Sequence, residues 1–217
     1  MGAAPSCLVI ACGALAREIT ALMALNDWPH LVVQCLPADF HNRPEKIVPA
    51  VRAKIIANRD RFASIFVAYA DCGTGGQLDT MLAHEGVERI PGAHCYEFYA
   101  GAQRFEAMSA QEPGTFYLTD FLLRHFDRLV VRGLGIEQHP ELLAMYFGNY
   151  QKLTYLAQVA TPERVAQARD AARRLGLAFE VCETGYGALA GSLAHAARQA
   201  PPLVAKKQFS GVIQWQN

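Results

Sequence analysis

The sequence predicts an α/β fold of the Rossmann-like type, with a mostly parallel sheet and helices on both faces. Short, continuous apolar runs, typical of strands that are covered on both faces, alternate with segments of helical period. This alternation favours parallel strands joined by right-handed crossovers. The chain has 217 residues, 52% of them hydrophobic, which suffices for one domain over residues 1–217 or for two similar halves packed together, 1–112 and 113–217.

The individual elements follow from the same patterns in chain order. The predicted strands are 7–12, 31–36, 64–70, 88–91, 115–119, 153–159 and 178–182. The predicted helices are 14–25, 45–61, 77–84, 121–132, one opening at 139–140, one ending near 175, and 188–199. The helix that ends near 175 has the clearest limits, because Thr161 and Pro162 are typical of a helix start and Gly176 of a helix end. We expect the tail from Pro201 to be an extension without a clear period.

Composition excludes several classes of function. The formal net charge is zero and the basic residues are scattered, so no concentrated basic surface is available to a nucleic acid. No apolar run is long enough to cross a bilayer, and residues 7–12 are too short for the core of a signal peptide. We therefore expect a cytoplasmic protein without nucleic-acid or membrane partners. In that compartment the six cysteines are core, catalytic or metal-binding residues rather than disulfides.

Cysteine and histidine residues follow four of the predicted strands in the first half. Parallel strands bring their carboxyl ends to one edge of a sheet, where ligand sites of open α/β folds form. The segments at these ends are Cys12-Gly13, Asp39-Phe-His41-Asn42, Asp71-Cys72-Gly73 and His94-Cys95-Tyr96-Glu97. Thiolate and imidazole ligands together suit zinc, and three thiolates can alternatively hold an iron–sulfur cluster.

The predicted metal ligands are Cys12, Cys72 and His94, with Cys95 or His41 as the fourth. Adjacent residues rarely point the same way, so we expect only one of His94 and Cys95 to bind. The prediction depends on the strands being parallel, because no Cys-x-x-Cys pair supports it. The remaining cysteines lie inside apolar strands and are expected to be core residues, namely Cys7, Cys35 and Cys182.

A second hypothesis makes Cys72 a catalytic nucleophile. It follows Asp71 and precedes glycines at the start of a predicted helix, a position that lowers the pKa of a thiol. His94 is the candidate base, and Glu97 is a further candidate catalytic residue. Glu97 or Asp120 alternatively orients a histidine ligand or caps a helix.

The glycines after Cys72 allow another kind of site. Gly73, Gly75 and Gly76 can bind an anionic cofactor through their backbone N–H groups. The segment has neither the lysine of a P-loop nor the full dinucleotide fingerprint. Gly185-Tyr-Gly187, before the last predicted helix, is better explained as a tight turn.

The same residues resemble a known family over about 7–195. The segments that carry the resemblance are Cys12-Gly13, Glu18-Ile19, His41-Asn42, Tyr69-x-x-Cys72-Gly73, His94 and Pro113-Gly-Thr-Phe-Tyr-Leu118. Together they resemble the uncharacterised domain-of-unknown-function family 1638, whose members are often encoded beside corrinoid-dependent methyltransferases of the trimethylamine methyltransferase type. The family pattern has His-Asp-Cys where this chain has His94-Cys95-Tyr96, which favours His94 over Cys95 as a ligand.

The resemblance implies a role in or beside corrinoid-linked methyl transfer and one-carbon metabolism. The leading hypothesis is a zinc-binding protein that acts on a small-molecule substrate as a metal-dependent methyltransferase or hydrolase. One alternative is a non-catalytic partner of a corrinoid protein or methyltransferase. Another is a metal-free cysteine-nucleophile enzyme.

Overall fold

The computed structural model describes residues 7–200. These residues form two compact units, 7–98 with 188–200, and Tyr99–Gly187. The last helix therefore belongs with the N-terminal unit, and the division into halves 1–112 and 113–217 stays a prediction. The expectations for the tail from Pro201 lie outside the described residues.

The first unit contains one four-stranded parallel sheet. Its strands are β1 (Cys7–Cys12), β2 (Leu31–Leu36), β3 (Ser64–Ala68) and β4 (Glu88–Arg89), in the order β2-β1-β3-β4. Every residue of β1 is buried, which explains why this strand is a continuous apolar run rather than an alternating one. Because both neighbours of β1 run parallel to it, the carboxyl ends of three strands lie at one edge.

The second unit contains a three-stranded parallel sheet. Its strands are β5 (Thr115–Thr119), β6 (Lys152–Ala157) and β7 (Ala178–Glu183), in the order β5-β6-β7. Leu118, Leu153 and Tyr155 are completely buried in its core. Two parallel sheets connected by helical segments confirm the predicted Rossmann-like α/β class.

The helices connect these strands. In chain order they are α1 (Ala16–Leu25), α2 (Ile47–Asn58), α3 (Gln77–Glu85), α4 (Glu97–Ala100), α5 (Ala102–Gln111), α6 (Asp120–Arg124), α7 (Leu142–Phe147), α8 (Pro162–Leu175) and α9 (Gly187–Gln199). Helix α8 has the predicted limits: the Thr161 hydroxyl accepts from the N–H of Arg164, and Gly176 is left-handed with φ of 72°. Within residues 7–200, no helix is both long and apolar enough to span a membrane.

The helical segments differ from the sequence predictions in two regions, 97–111 and 121–132. The helix predicted over 121–132 ends at Arg124, and a wider turn follows in which the N–H of Arg132 donates to the carbonyl of Asp127 at 2.8 Å. This change of pitch leaves Val130 buried in the core. Helix α5 was not predicted; it buries no residue, and its large apolar side chains, Phe105 and Met108, are too few to define a helical period.

Candidate metal centre

The order of the first sheet places the ends of β1 and β3 side by side. The chain goes from β1 to β2 on one side and then to β3 on the other side, so the topology switches direction at β1. Ligands of open α/β sheets bind at such switch points. Cys12 is the last residue of β1, and Tyr69 and Cys72 follow directly after β3. All three residues are buried.

The loop after β3 is tied to the loop after β4 by backbone hydrogen bonds. The N–H of Asp71 donates to the carbonyl of Gly92 at 3.0 Å, and that of Cys72 to Ala93 at 2.8 Å. Cys72 takes a left-handed backbone conformation, with φ of 49°. This pairing brings Cys95 to Cys72, and their Sγ atoms lie 3.3 Å apart. That distance is too long for a disulfide bond, which measures about 2.05 Å.

Cys95 is the central member of a sulfur cluster formed by Cys12, Cys72 and Cys95. Its thiol is hydrogen-bonded with both other sulfurs, and these bonds, the one with Cys12 foremost, raise the pKa of Cys95 well above its ordinary value. The same bond lowers the pKa of Cys12, in spite of its burial. The pKa of Cys72 is lowered to about 5. The hydrogen bond with Cys95 contributes most to this shift; burial opposes it, and the hydrogen bond with His41 lowers the pKa further. The cluster therefore favours thiolates at Cys12 and Cys72, with Cys95 as the proton donor.

His41 is the imidazole that contacts the cluster. It lies in a short 3₁₀ turn, Ala38–Asn42, after β2, and is exposed at the edge of the site. A hydrogen bond with Cys72 raises the pKa of His41, against the opposing effect of the partial loss of water around the ring. The structure thus pairs Cys72 with His41, where the sequence suggested His94 as the base.

His94 occupies a different position beside the cluster. Its ring stacks on Tyr96 with centroids 4.9 Å apart, and its centroid lies 6.5 Å from that of His41. Its Nδ1 atom is buried and has no hydrogen-bond partner in the described part of the chain. Of the two adjacent candidates, Cys95 is the one joined to Cys12 and Cys72, and His94 stays a predicted ligand.

In the glycine-rich loop after β3, several hydrogen-bond donors are already bonded to the side chain of Asp71. The Asp71 carboxylate accepts from the Thr74 hydroxyl at 2.5 Å and from the N–H groups of Gly75 and Gly76 at 3.1 and 2.8 Å. A Cβ on Gly73 would lie 3.2 Å from the Pro44 ring, so this glycine permits close packing. Anion binding by Gly73, Gly75 and Gly76 stays a prediction, and it would require the last two N–H groups to leave Asp71.

Glu97 holds the loop that carries Cys95. Glu97 is the first residue of α4. Its carboxylate accepts from the N–H groups of Ala93 and His94, in the preceding turn, at 3.2 and 3.0 Å. These contacts match the capping role that the sequence also allowed, and a catalytic role stays a prediction. Asp120 lies in the second unit, where its carboxylate accepts from several donors around the end of β6.

Tyr69 is a site residue to which the sequence analysis gave no role. It is 1% exposed, and its hydroxyl lies beside the Cys12 sulfur without forming a hydrogen bond of ordinary geometry to any described residue. Burial, followed by the nearby cysteines, raises the pKa of Tyr69 above its usual range. The spacing Tyr69-x-x-Cys72 was the only signal in the sequence, and it did not reveal that the ring is buried against the cluster.

The donor set suits a soft metal ion, although it is not preformed around one. No three His, Cys, Asp or Glu side chains of residues 7–200 are already arranged as the ligands of an ion. Tetrahedral zinc with Zn–S bonds of 2.3 Å separates two sulfur ligands by about 3.8 Å. Cys72 and Cys95, at 3.3 Å, would therefore move apart by roughly half an ångström to bind zinc, a small adjustment for loop residues.

Comparison with known protein families gives one match over most of the chain. The family model described as "Protein of unknown function (DUF1638)" matches residues 35–193. Comparisons with curated proteins and with solved structures give no match. The matched range includes Cys72, Cys95 and His41, whereas Cys12 precedes it. The chain belongs to the DUF1638 family.

Proposed function

We propose that the protein binds one zinc ion through the sulfur cluster of Cys12, Cys72 and Cys95, with His41 at the fourth position. The observation that carries this proposal is the meeting of three sulfurs and one imidazole at the switch point of the first sheet. These residues come from four separate connections of the sheet. Core packing alone would not require cysteine at all three sulfur positions.

The charge of the site supports a cation. Cys12 and Cys72 are buried and are biased toward the thiolate form. Buried charges are costly unless they are paired or coordinate a metal. A divalent ion would neutralise both thiolates and would displace the proton of Cys95. Zinc fits a ligand set of three sulfurs and one nitrogen. An iron–sulfur cluster most often takes four cysteines, so iron–sulfur binding is the weaker alternative.

The exposure of His41 favours an exchangeable fourth ligand, and with it a catalytic rather than a closed structural centre. His41 is exposed, so water or a substrate atom can reach the ion on that side and take the place of the imidazole. A catalytic zinc keeps such a position open and lowers the pKa of a bound water or thiol. Corrinoid-linked methyl transfer is the reaction class that the sequence resemblance suggests. A metal-carrying accessory protein for a corrinoid methyltransferase is the alternative in the same setting.

Metal analysis of protein purified without a histidine tag tests the proposal. We expect about one zinc per chain in the wild type and a near-complete loss in Cys72→Ala. Cys7→Ala is the matched control, since Cys7 is buried at the opposite end of β1 from Cys12, and it should retain the metal. Wild-type protein that contains no metal and takes up none when anaerobically supplied with zinc would refute the proposal.

The contact between Cys72 and His41 supports a second candidate, a metal-free thiol enzyme. In metal-free protein the lowered pKa of Cys72 and the raised pKa of His41 favour a thiolate beside an imidazolium, the activated state of a cysteine nucleophile. With a pKa of about 5, Cys72 should be almost fully thiolate above about pH 6. Its alkylation rate by iodoacetamide should then level off near neutral pH, whereas that of an ordinary thiol still rises at pH 8.

Peptide mass spectrometry after timed alkylation between pH 4 and 9 measures this directly. His41→Ala is the informative variant, because loss of the imidazole should move the Cys72 profile to higher pH. Added zinc should protect Cys72 if the metal proposal holds and should have no effect on a metal-free enzyme. A Cys72 rate that climbs about tenfold per unit through pH 8 would contradict the ion pair.

A further inference from the structure

We propose that the Tyr69 hydroxyl is a positioning group that donates a hydrogen bond to the metal-bound sulfur of Cys12. This inference rests on the metal site proposed above. It assigns a role to a side chain that is not itself a ligand and that no sequence pattern identified.

The position of Tyr69 directs its hydroxyl toward the sulfurs. The residue directly follows β3, next to the end of β1, and its side chain is 1% exposed. Its hydroxyl oxygen is fully buried and has no hydrogen-bond partner among residues 7–200. The Cys12 sulfur is the acceptor toward which the hydroxyl is placed, and the charges of Cys72 and Cys95 act on it at longer range.

An unpaired buried hydroxyl is energetically unfavourable, and folded proteins rarely retain one without a reason. The second unit of the same chain shows the usual solution. There the buried Tyr155 hydroxyl donates to the Asp120 carboxylate at 2.6 Å. An anionic acceptor satisfies a buried tyrosine hydroxyl, whereas a neutral thiol is only a weak acceptor. A thiolate on Cys12 would give Tyr69 the equivalent of Asp120, and a bound metal would hold that sulfur in the thiolate form.

A hydrogen bond to a coordinated sulfur has two effects. It stabilises the anionic ligand in a dry environment, and it withdraws electron density from the sulfur that the metal would otherwise receive. Partners of this kind typically contribute 10–100-fold to metal affinity. Phenylalanine would fill the same space without supplying the proton, so Tyr69→Phe isolates the hydroxyl.

The test compares Tyr69→Phe with Tyr155→Phe in the full-length protein, each loaded with Co(II) or zinc. We expect Tyr69→Phe to bind zinc about tenfold more weakly in competition with a chromophoric chelator. Its sulfur-to-cobalt charge-transfer band should move to longer wavelength, because the sulfur becomes more electron-rich. The unfolding midpoint of the metal-free protein should not fall, since an unpaired hydroxyl is lost. Tyr155→Phe should show the reverse, a lower midpoint and an unchanged cobalt spectrum.

The outcomes separate this inference from the proposed function. Wild-type protein that binds neither zinc nor cobalt refutes the metal site, and the role of Tyr69 with it. Wild-type protein that binds cobalt, with a Tyr69→Phe variant of equal affinity and identical spectrum, overturns the inference alone. A metal-free Tyr69→Phe protein that is destabilised like Tyr155→Phe also overturns it, because the hydroxyl then has a structural partner.

Discussion

Replacing Cys95 with serine is expected to reduce zinc affinity by more than about 100-fold, whereas replacing its neighbour His94 with glutamine leaves zinc bound. Cys95 is the member of the sulfur cluster that contacts both other sulfurs, so its replacement removes a proposed ligand from the centre of the set. The expected loss exceeds the 10–100-fold contributed by groups that only support a ligand. Zinc per chain and competition with a chelator measure the difference.

The adjacent pair is its own control, because both residues lie in the loop before α4 and both are only partly exposed. Circular dichroism of each variant confirms that the sheet is intact. The opposite result, zinc retained in Cys95→Ser and lost in His94→Gln, would favour the set Cys12, Cys72 and His94. It would also mean that the His94 ring turns away from Tyr96 when metal binds.

Replacing Asp120 with alanine is expected to destabilise the second unit by about 3–5 kcal/mol, the range typical when one partner of a buried ion pair is removed. The Asp120 side chain is 2% exposed. It accepts from the Tyr155 hydroxyl at 2.6 Å, from Arg164 at 2.7 Å, and from the N–H groups of Gln158 and Val159 at 3.2 Å. Alanine would leave these donors without their acceptor. Urea unfolding followed by tyrosine fluorescence measures the change.

Asp127→Ala is the matched control. Asp127 also pairs with an arginine, Arg174, but its side chain is 66% exposed. Exposed pairs contribute about 0–1 kcal/mol, so the control should unfold almost as the wild type does. Equal stability of Asp120→Ala and Asp127→Ala would show that the Asp120 network does not stabilise the unit.

The fold was predictable because short segments of the sequence indicate the individual strands and helices. The fully buried β1 is a continuous apolar run, and α8 begins at a threonine cap and ends at a left-handed glycine. Each signal comes from neighbouring residues. The interrupted helix after β5 was not predictable, because its wider turn depends on how Val130 packs in the core.

The site was predictable in location but not in membership. Parallel strands place Cys12 and Cys72 at one edge, and that argument requires only the sheet topology. The choice of Cys95 over His94 depends on backbone hydrogen bonds between residues 71–72 and 92–93, which no local pattern encodes. The position of His41 against Cys72 depends in the same way on how the turn after β2 folds back.

The left-handed backbone of Cys72 bears on why the thiol is there. Three glycines follow closely, Gly73, Gly75 and Gly76, and all three also have positive φ. Glycine adopts this conformation freely, whereas a side chain at such a position costs of order 1 kcal/mol or more. A loop selected for stability alone would have a fourth glycine at position 72. A cysteine at this position is what we would expect if the proposed chemistry, rather than folding stability, determined the residue.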